Sequence, residues 1–229
     1  MKRILIISCL MLSFTVHAFC QRAAVESAFD KYHINRIAID SLTQHNELRF
    51  NFDLITTIVT ESSQKIYKAH HDASKTGEEA WALQSVNNGN PSGSDRSTFK
   101  KQHDQHIPAL KPDTSTFKLV KDDGKELVVS FQYDQTSMID DNKFMKDCLV
   151  KLFFDATTGK LLRSEGSITN SFKIKMFKAN YLASTVIYQY NEVIERYLPL
   201  KEEVSINLNI LGSAVDMITT NEYSNYQQP

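Results

Sequence analysis

Cysteine is scarce: three residues in 229, at positions 9, 20 and 148. The first two fall in the N-terminal leader described below. A lone Cys148 closes no intramolecular disulfide, so the core has to hold without covalent staples. An excess of either charge is also missing, with 26 basic against 27 acidic residues and a formal net charge of −1. Such a chain, with its lysines scattered, lacks the electrostatic footprint of a nucleic-acid or anionic-membrane binder. Asn-x-Ser/Thr sequons with a permitted middle residue are absent too, which agrees with a bacterial source.

The motifs of common enzyme classes are equally absent. There is no Gly-x-Ser-x-Gly elbow to present a nucleophile. The run Gly89-Asn90-Pro91-Ser92-Gly93-Ser94-Asp95 is glycine-rich but lacks the Gly-Lys-Ser/Thr ending that cradles phosphate, so it reads as a tight turn and a helix cap. Cys148 has no Cys-x-x-Cys partner and reads as a small buried hydrophobe. His70-His71-Asp72, with His103 and His106, are candidate metal ligands, but no third ligand has a defined spacing, and solvated histidines are the expectation. The acid pairs Asp122-Asp123 and Asp140-Asp141 are adjacent, whereas a calcium loop alternates its ligands, so they read as solvated turns. Neither a catalytic residue nor a metal or cofactor is expected.

What the chain does carry begins with a leader. Lys2 and Arg3 precede an apolar run from Ile4 to Phe14, and Val16-His17-Ala18-Phe19-Cys20-Gln21 offers small residues at cleavage spacing. Basic start, apolar middle and small-residue end form a secretory signal. The run is too short to span a bilayer, which takes about 20 residues. Residues 1–20 are therefore expected to be removed, with cleavage after Ala18 or after Cys20. Residues 21–229 would remain as a single β-rich domain, periplasmic or secreted, with no transmembrane span. Cys9 and Cys20 are both poor lipidation sites. The first lies too early, and bulky Phe19 precedes the second.

The mature chain alternates. Leu48, Phe50, Phe52 and Leu54 have polar residues between them, and Leu127, Val129, Phe131 and Tyr133 alternate with Val128, Ser130 and Gln132. Phe172, Ile174 and Met176 alternate with Lys173 and Lys175, Val186, Tyr188 and Tyr190 hold even positions around Gln189, and Val204, Ile206, Leu208 and Ile210 alternate with Ser205, Asn207 and Asn209. Period two with one apolar face marks an antiparallel sheet wet on its other side. Turns at Lys121–Lys125 and Asp155–Lys160 supply the Asp and Gly that hairpins need. Glu192–Glu195 reads as a short turn between strands. Gly212 shifts the phase before Val215 and Met217, which predicts a bulge or bend. The fold expected is mainly β (α+β): a curved antiparallel sheet or half-open barrel of about eight strands with one or two helices. Val25, Ala28, Phe29 and Tyr32 make a stripe for a helix over residues 22–33, continuing or restarting through Ile37 to Leu42. A second, from Ser92 or Ser94 to about Gln105, has Phe99 as nearly its only apolar residue and belongs on the surface.

The stretch from Asp72 through Trp81-Ala82-Leu83-Gln84-Ser85-Val86 into Gly89-Asn90-Pro91-Ser92 and Phe99 resembles a segment of exported bacterial proteins of unknown role. The hairpin Phe154-Asp155 to Thr158-Gly159-Lys160-Leu161 and the ending Asn221–Tyr226 fit as well. That group is similar to the periplasmic lipoprotein-carrier and outer-membrane lipoprotein-receptor fold, and the resemblance implies an unclosed antiparallel barrel with helices in its mouth. The arginine-dependent gate of true carriers has no counterpart at a definable position here.

Strands with one greasy face outnumber the helices able to cover them, and each uncovered large apolar side chain forgoes roughly 1.5–3 kcal/mol. Either the sheet fills its own core, or it holds an apolar ligand. The expected function is a non-catalytic envelope protein that accommodates a lipid or acyl chain. Its candidate lining is Phe50, Phe52, Phe131, Ile174, Val186, Ile206 and Leu208. The alternative is a structural or accessory protein with a self-filled core that meets a protein partner.

Overall fold

The computed structural model describes residues 21–103, 109–174, 177–210 and 212–229. The expected leader, Cys9, Cys20, His106, Lys175 and Met176 lie outside the described residues. Eleven strands form one antiparallel sheet: β1 (Asn51–Thr60), β2 (Ser63–His71), β3 (Trp81–Val86), β4 (Pro112–Asp122), β5 (Glu126–Tyr133), β6 (Leu149–Asp155), β7 (Leu161–Ile168), β8 (Phe172–Ile174), β9 (Phe177–Asn191), β10 (Arg196–Ile210) and β11 (Ser213–Gln227). Their spatial order is β3-β2-β1-β11-β10-β9-β7-β6-β5-β4, with β8 on β9, and the sheet is not closed.

The expected eight strands were too few. Strand β2 escaped the alternation because its buried face carries Tyr67, Ala69 and His71, which include no large aliphatic. Gly212 is not a bulge within one strand. At φ +88° it stands between the end of β10 and the start of β11, where only glycine turns cheaply, and the phase shift marks a new strand. The other hairpin turns fall where Asp and Gly placed them, with Gly124 at φ +77° and Gly159 at φ +67°.

Residues opposite one another in an antiparallel pair share a face. The register therefore runs one inner line through Phe131, Val150, Gly166, Ser184, Val204, Thr219 and Ile58. The outer face carries polar clusters, as where Asn207 on β10 donates to Asp216 on β11 at 2.6 Å and accepts from Asn180 on β9 at 2.6 Å.

Three helices lie against the inner face. Helix α1 covers described residues 21–31, α2 is Arg36–Asp40 and α3 is Gly93–His103. Val25, Ala28 and Phe29 of α1, with Ile39 of α2, join Leu127, Val129, Phe131, Leu152 and Phe154 in one core. Phe29 meets Phe154 edge-on at 5.6 Å. A separate core gathers Phe52, Leu54, Ala69, Trp81 and Leu83 under Phe99 of α3. That helix is polar, as expected, but it is no bystander. Phe99 is 2 % exposed and packs on Tyr67 and Trp81, while Arg96 donates to the Leu83 carbonyl oxygen at 3.2 Å and Asp95 pairs with Lys65 at 2.9 Å. Its start is tied by Ser92 and Asp95, each accepting from the other's backbone N–H at 3.1 Å. Cys148 is fully buried, and burial pushes its thiol up to about 11, so it stays protonated.

The end of α1 is fixed by the β4–β5 turn, where Lys31 pairs with Asp122 at 3.0 Å and Tyr32 donates to the same carboxylate. The β6–β7 turn presses on it from the other side. A Cβ on Gly159 would stand 2.2 Å from the Tyr32 carbonyl oxygen, in a conformation that already disfavours side chains. Gly159→Ala is expected to cost about 1–3 kcal/mol by urea unfolding, because the φ penalty and the clash act together.

Candidate functional site

Beside the second core the inner face is unfilled. A cavity of about 510 Å³ lies where β1, β2, β3 and β11 meet α3 and the 3-10 turn Asn46–Arg49. Leu48, Phe52, Leu54, Ala80 and Trp81 give it an apolar wall, and His71, His103, Glu47, Asn221 and Tyr223 bring polar groups to it.

Aromatic stacking holds both histidines. His71 ends β2, opposite Phe52 and Trp81 in the ladder, and is 4 % exposed. Its ring stacks on Phe52 at 4.9 Å and meets Trp81 edge-on at 4.8 Å. His103, in the last turn of α3, stacks on Phe99 at 3.9 Å and tilts against Trp81 at 4.7 Å. The two rings make the same kind of hydrogen bond. Nδ1 of His71 lies 2.9 Å from the Phe50 carbonyl oxygen, and Nδ1 of His103 lies 2.8 Å from that of Phe99. A carbonyl only accepts, so Nδ1 carries the proton in each ring, and Nε2 of the neutral ring is an acceptor. Burial pushes the His103 pKa down, against the lift from its carbonyl bond, and keeps this ring neutral near pH 7.

Beside the cavity runs a polar line. Thr56, Asn221 and Glu202 are consecutive partners across β1, β11 and β10, and beyond apolar Val186 on β9 the same row reaches Ser164 on β7. Thr56 donates to the Asn221 side-chain oxygen at 2.7 Å; Asn221 and Tyr223 both donate to Oε2 of Glu202, at 3.2 Å and 2.7 Å. Burial raises the Glu202 pKa despite those two bonds, with Glu47 adding repulsion and His45 opposing it. Glu47 is itself paired with His45 at 3.0 Å, and that hydrogen bond lifts the histidine. Tyr223 is pushed well up, first by burial and then by the neighbouring carboxylate.

The expected lining residues are dispersed along one face. Phe52 borders the cavity. Phe50 lies just outside it, buried and edge-on to Tyr226 at 6.0 Å. Phe131 sits in the other core, against Phe117 and Tyr133. Val186, Ile206 and Leu208 share the inner face of the long central strands, with Ile206 only 6 % exposed, and Ile174 lies on the short β8 beside them. The cavity's polar groups went unforeseen, although parity announced some of them. Glu202 falls in step with Val204, Ile206 and Leu208, and Asn221 and Tyr223 with Val215 and Met217, so polar groups stood at apolar positions. His71 and His103, grouped from the sequence as candidate metal ligands and expected to be solvated, instead both pack on Trp81, and His71 is buried. Among the described residues no three His, Cys, Asp or Glu side chains gather as a metal set, and no helix is long and apolar enough to cross a membrane.

The chain matches no protein-family model, no curated protein and no solved structure.

Glu202 sets one pH effect. Its folded pKa is raised, so between the unfolded value and the folded one the native state holds more protons, and stability falls as pH rises through that window. Glu202→Gln is therefore expected to be about 1 kcal/mol more stable than the parent at pH 7, with the difference vanishing near pH 4. Paired thermal or urea unfolding at the two pH values measures it.

Proposed function

We propose that this is a non-catalytic binding protein of the cell envelope, exported by its N-terminal leader, whose sheet forms a half-open barrel around an acyl chain or comparable apolar ligand. The observation that carries the reading is the cavity itself, walled by Leu48 and by Phe52, Leu54 and Trp81 at the edge of the second core. The inner face of β9, β10 and β11 extends that wall, with Val186 and Leu208 half-buried beneath incomplete cover. Each methylene taken from water into such a site contributes about 0.8 kcal/mol, so a chain of moderate length binds without specific contacts along its tail. The resemblance to the lipoprotein-carrier fold points the same way. Exposed apolar side chains on the outer face favour a second reading, a contact surface for an envelope protein: Val59 and Ile218 are direct cross-strand partners at 37 % and 40 % exposure, with Ile187 at 41 %.

Native mass spectrometry and solvent extraction of the purified protein are expected to release acyl species. Leu48, 43 % exposed at the cavity wall, gives a variant that spares the core. Leu48→Glu is expected to weaken displacement of a hydrophobic dye by a fatty-acyl probe about tenfold or more. A protein that carries no lipid, ignores such dyes and captures a stoichiometric envelope protein would decide for the second reading.

A further inference from the structure

The polar groups around the cavity are unevenly committed. Some of its donors are spent, although Thr76 and Gln102 also line it. Lys75 is paired with Asp72 at 2.9 Å, and Tyr223 and Asn221 direct their protons at Glu202. The acceptors are not. His71 and His103 each use Nδ1–H on a main-chain carbonyl, and neither Nε2 meets a protein donor among the described residues. His71 is 4 % exposed and still borders the cavity, so its remaining nitrogen finds a hydrogen-bond donor only in what enters there. The indole N–H of Trp81, whose ring contacts both imidazoles, likewise has no acceptor among the described residues. A group that gives one hydrogen bond and takes another suits this trio, and a hydroxyl does both.

Charge narrows the choice. A carboxylate or phosphate head offers His71 and His103 no proton, and Lys75, the one lysine of the lining, is already engaged. An ammonium head would need an acidic partner, but Glu47 is paired with His45, and Glu202 already takes two hydrogen bonds on one oxygen. Burying an ion without a free counter-charge costs far more than burying a neutral group.

We infer that the cavity selects an apolar chain with a neutral hydroxyl head, held at Nε2 of His71 and His103 beside the Trp81 indole. The inference rests on the acyl-binding reading and deepens it by naming the head. Long-chain alcohols and monoacylglycerols share the chemistry.

Dye displacement with a matched dodecyl series tests it, using the full mature protein with dodecanol, monododecanoylglycerol, dodecyl methyl ether, dodecanoate and dodecylamine. At least one of the two hydroxyl compounds is expected to bind about tenfold more tightly than the ether, the worth of one satisfied hydrogen bond in a buried site, and more tightly than either ion. Whichever hydroxyl compound binds more tightly identifies the source. His71→Phe and, separately, His103→Phe are expected to bring the dodecanol-to-ether ratio towards one; a ratio that stays at ten in both folded variants overturns the role of the imidazoles. Equal affinity for dodecanol, monododecanoylglycerol and the ether, or tightest binding of dodecanoate or dodecylamine, overturns the hydroxyl head and leaves the acyl reading standing. No displacement by any of the five overturns the acyl reading, and the inference falls with it.

Discussion

Everything else in this molecule is placed by the main-chain hydrogen-bond ladder that runs, with bulges, from β3 to β4. Because each strand pairs antiparallel with the next, side chains opposite one another are bound to the same face. Ten strands in one path carry that parity from Trp81 to Pro112 without a second sheet to receive it. The inner face must then be covered by something other than strands, and the helices that do so are short and few. Two cores result where cover is adequate, and an unfilled cavity where it is not.

The three pieces of cover are held by different means. Helix α1 brings a genuine apolar stripe and is pinned at its end by the Asp122 carboxylate and the backbone at Gly159. Helix α3 brings one large apolar side chain, Phe99, and is held by the aromatic cluster of Tyr67, Trp81 and its own His103, with Arg96 tied to β3 and Asp95 to β2. The turn Asn46–Arg49 brings Glu47 and Leu48 to the cavity while its own Asn46 is buried. A roof attached at so few points encloses a space without filling it. The polar line through Thr56, Asn221 and Glu202 then runs along the inner face, where a carboxyl is desolvated at a cost that its two hydrogen bonds only partly offset.

Sequence parity reached far into this arrangement. It selected the inner face on β1, β5, β9 and β10, put the hairpin turns at Gly124 and Gly159, and found the apolar stripe of α1. It undercounted strands where the signal was diluted: β2 presents Tyr67, Ala69 and His71 inward, and the hairpin at Gly212 imitates a bulge because both events shift the alternation by one residue. The expected lining was a correct statement about a face and a poor one about a place. Phe52 and Phe131 share parity but are separated by most of the sheet, one at the cavity and one in solid packing.

Period-two alternation and turn chemistry are local, and by themselves they determined that this chain makes an antiparallel sheet with one apolar face and little helix to cover it. Which part of that face remains open was decided by tertiary structure alone. It depends on where Phe99 docks α3, on how the chain from α2 into β1 lays Leu48 across the strands, and on the meeting of His71 with His103 at Trp81 across 32 positions of sequence. Those contacts join residues whose spacing carries no period, so nothing in the order of the chain encodes their distance. Only packing does.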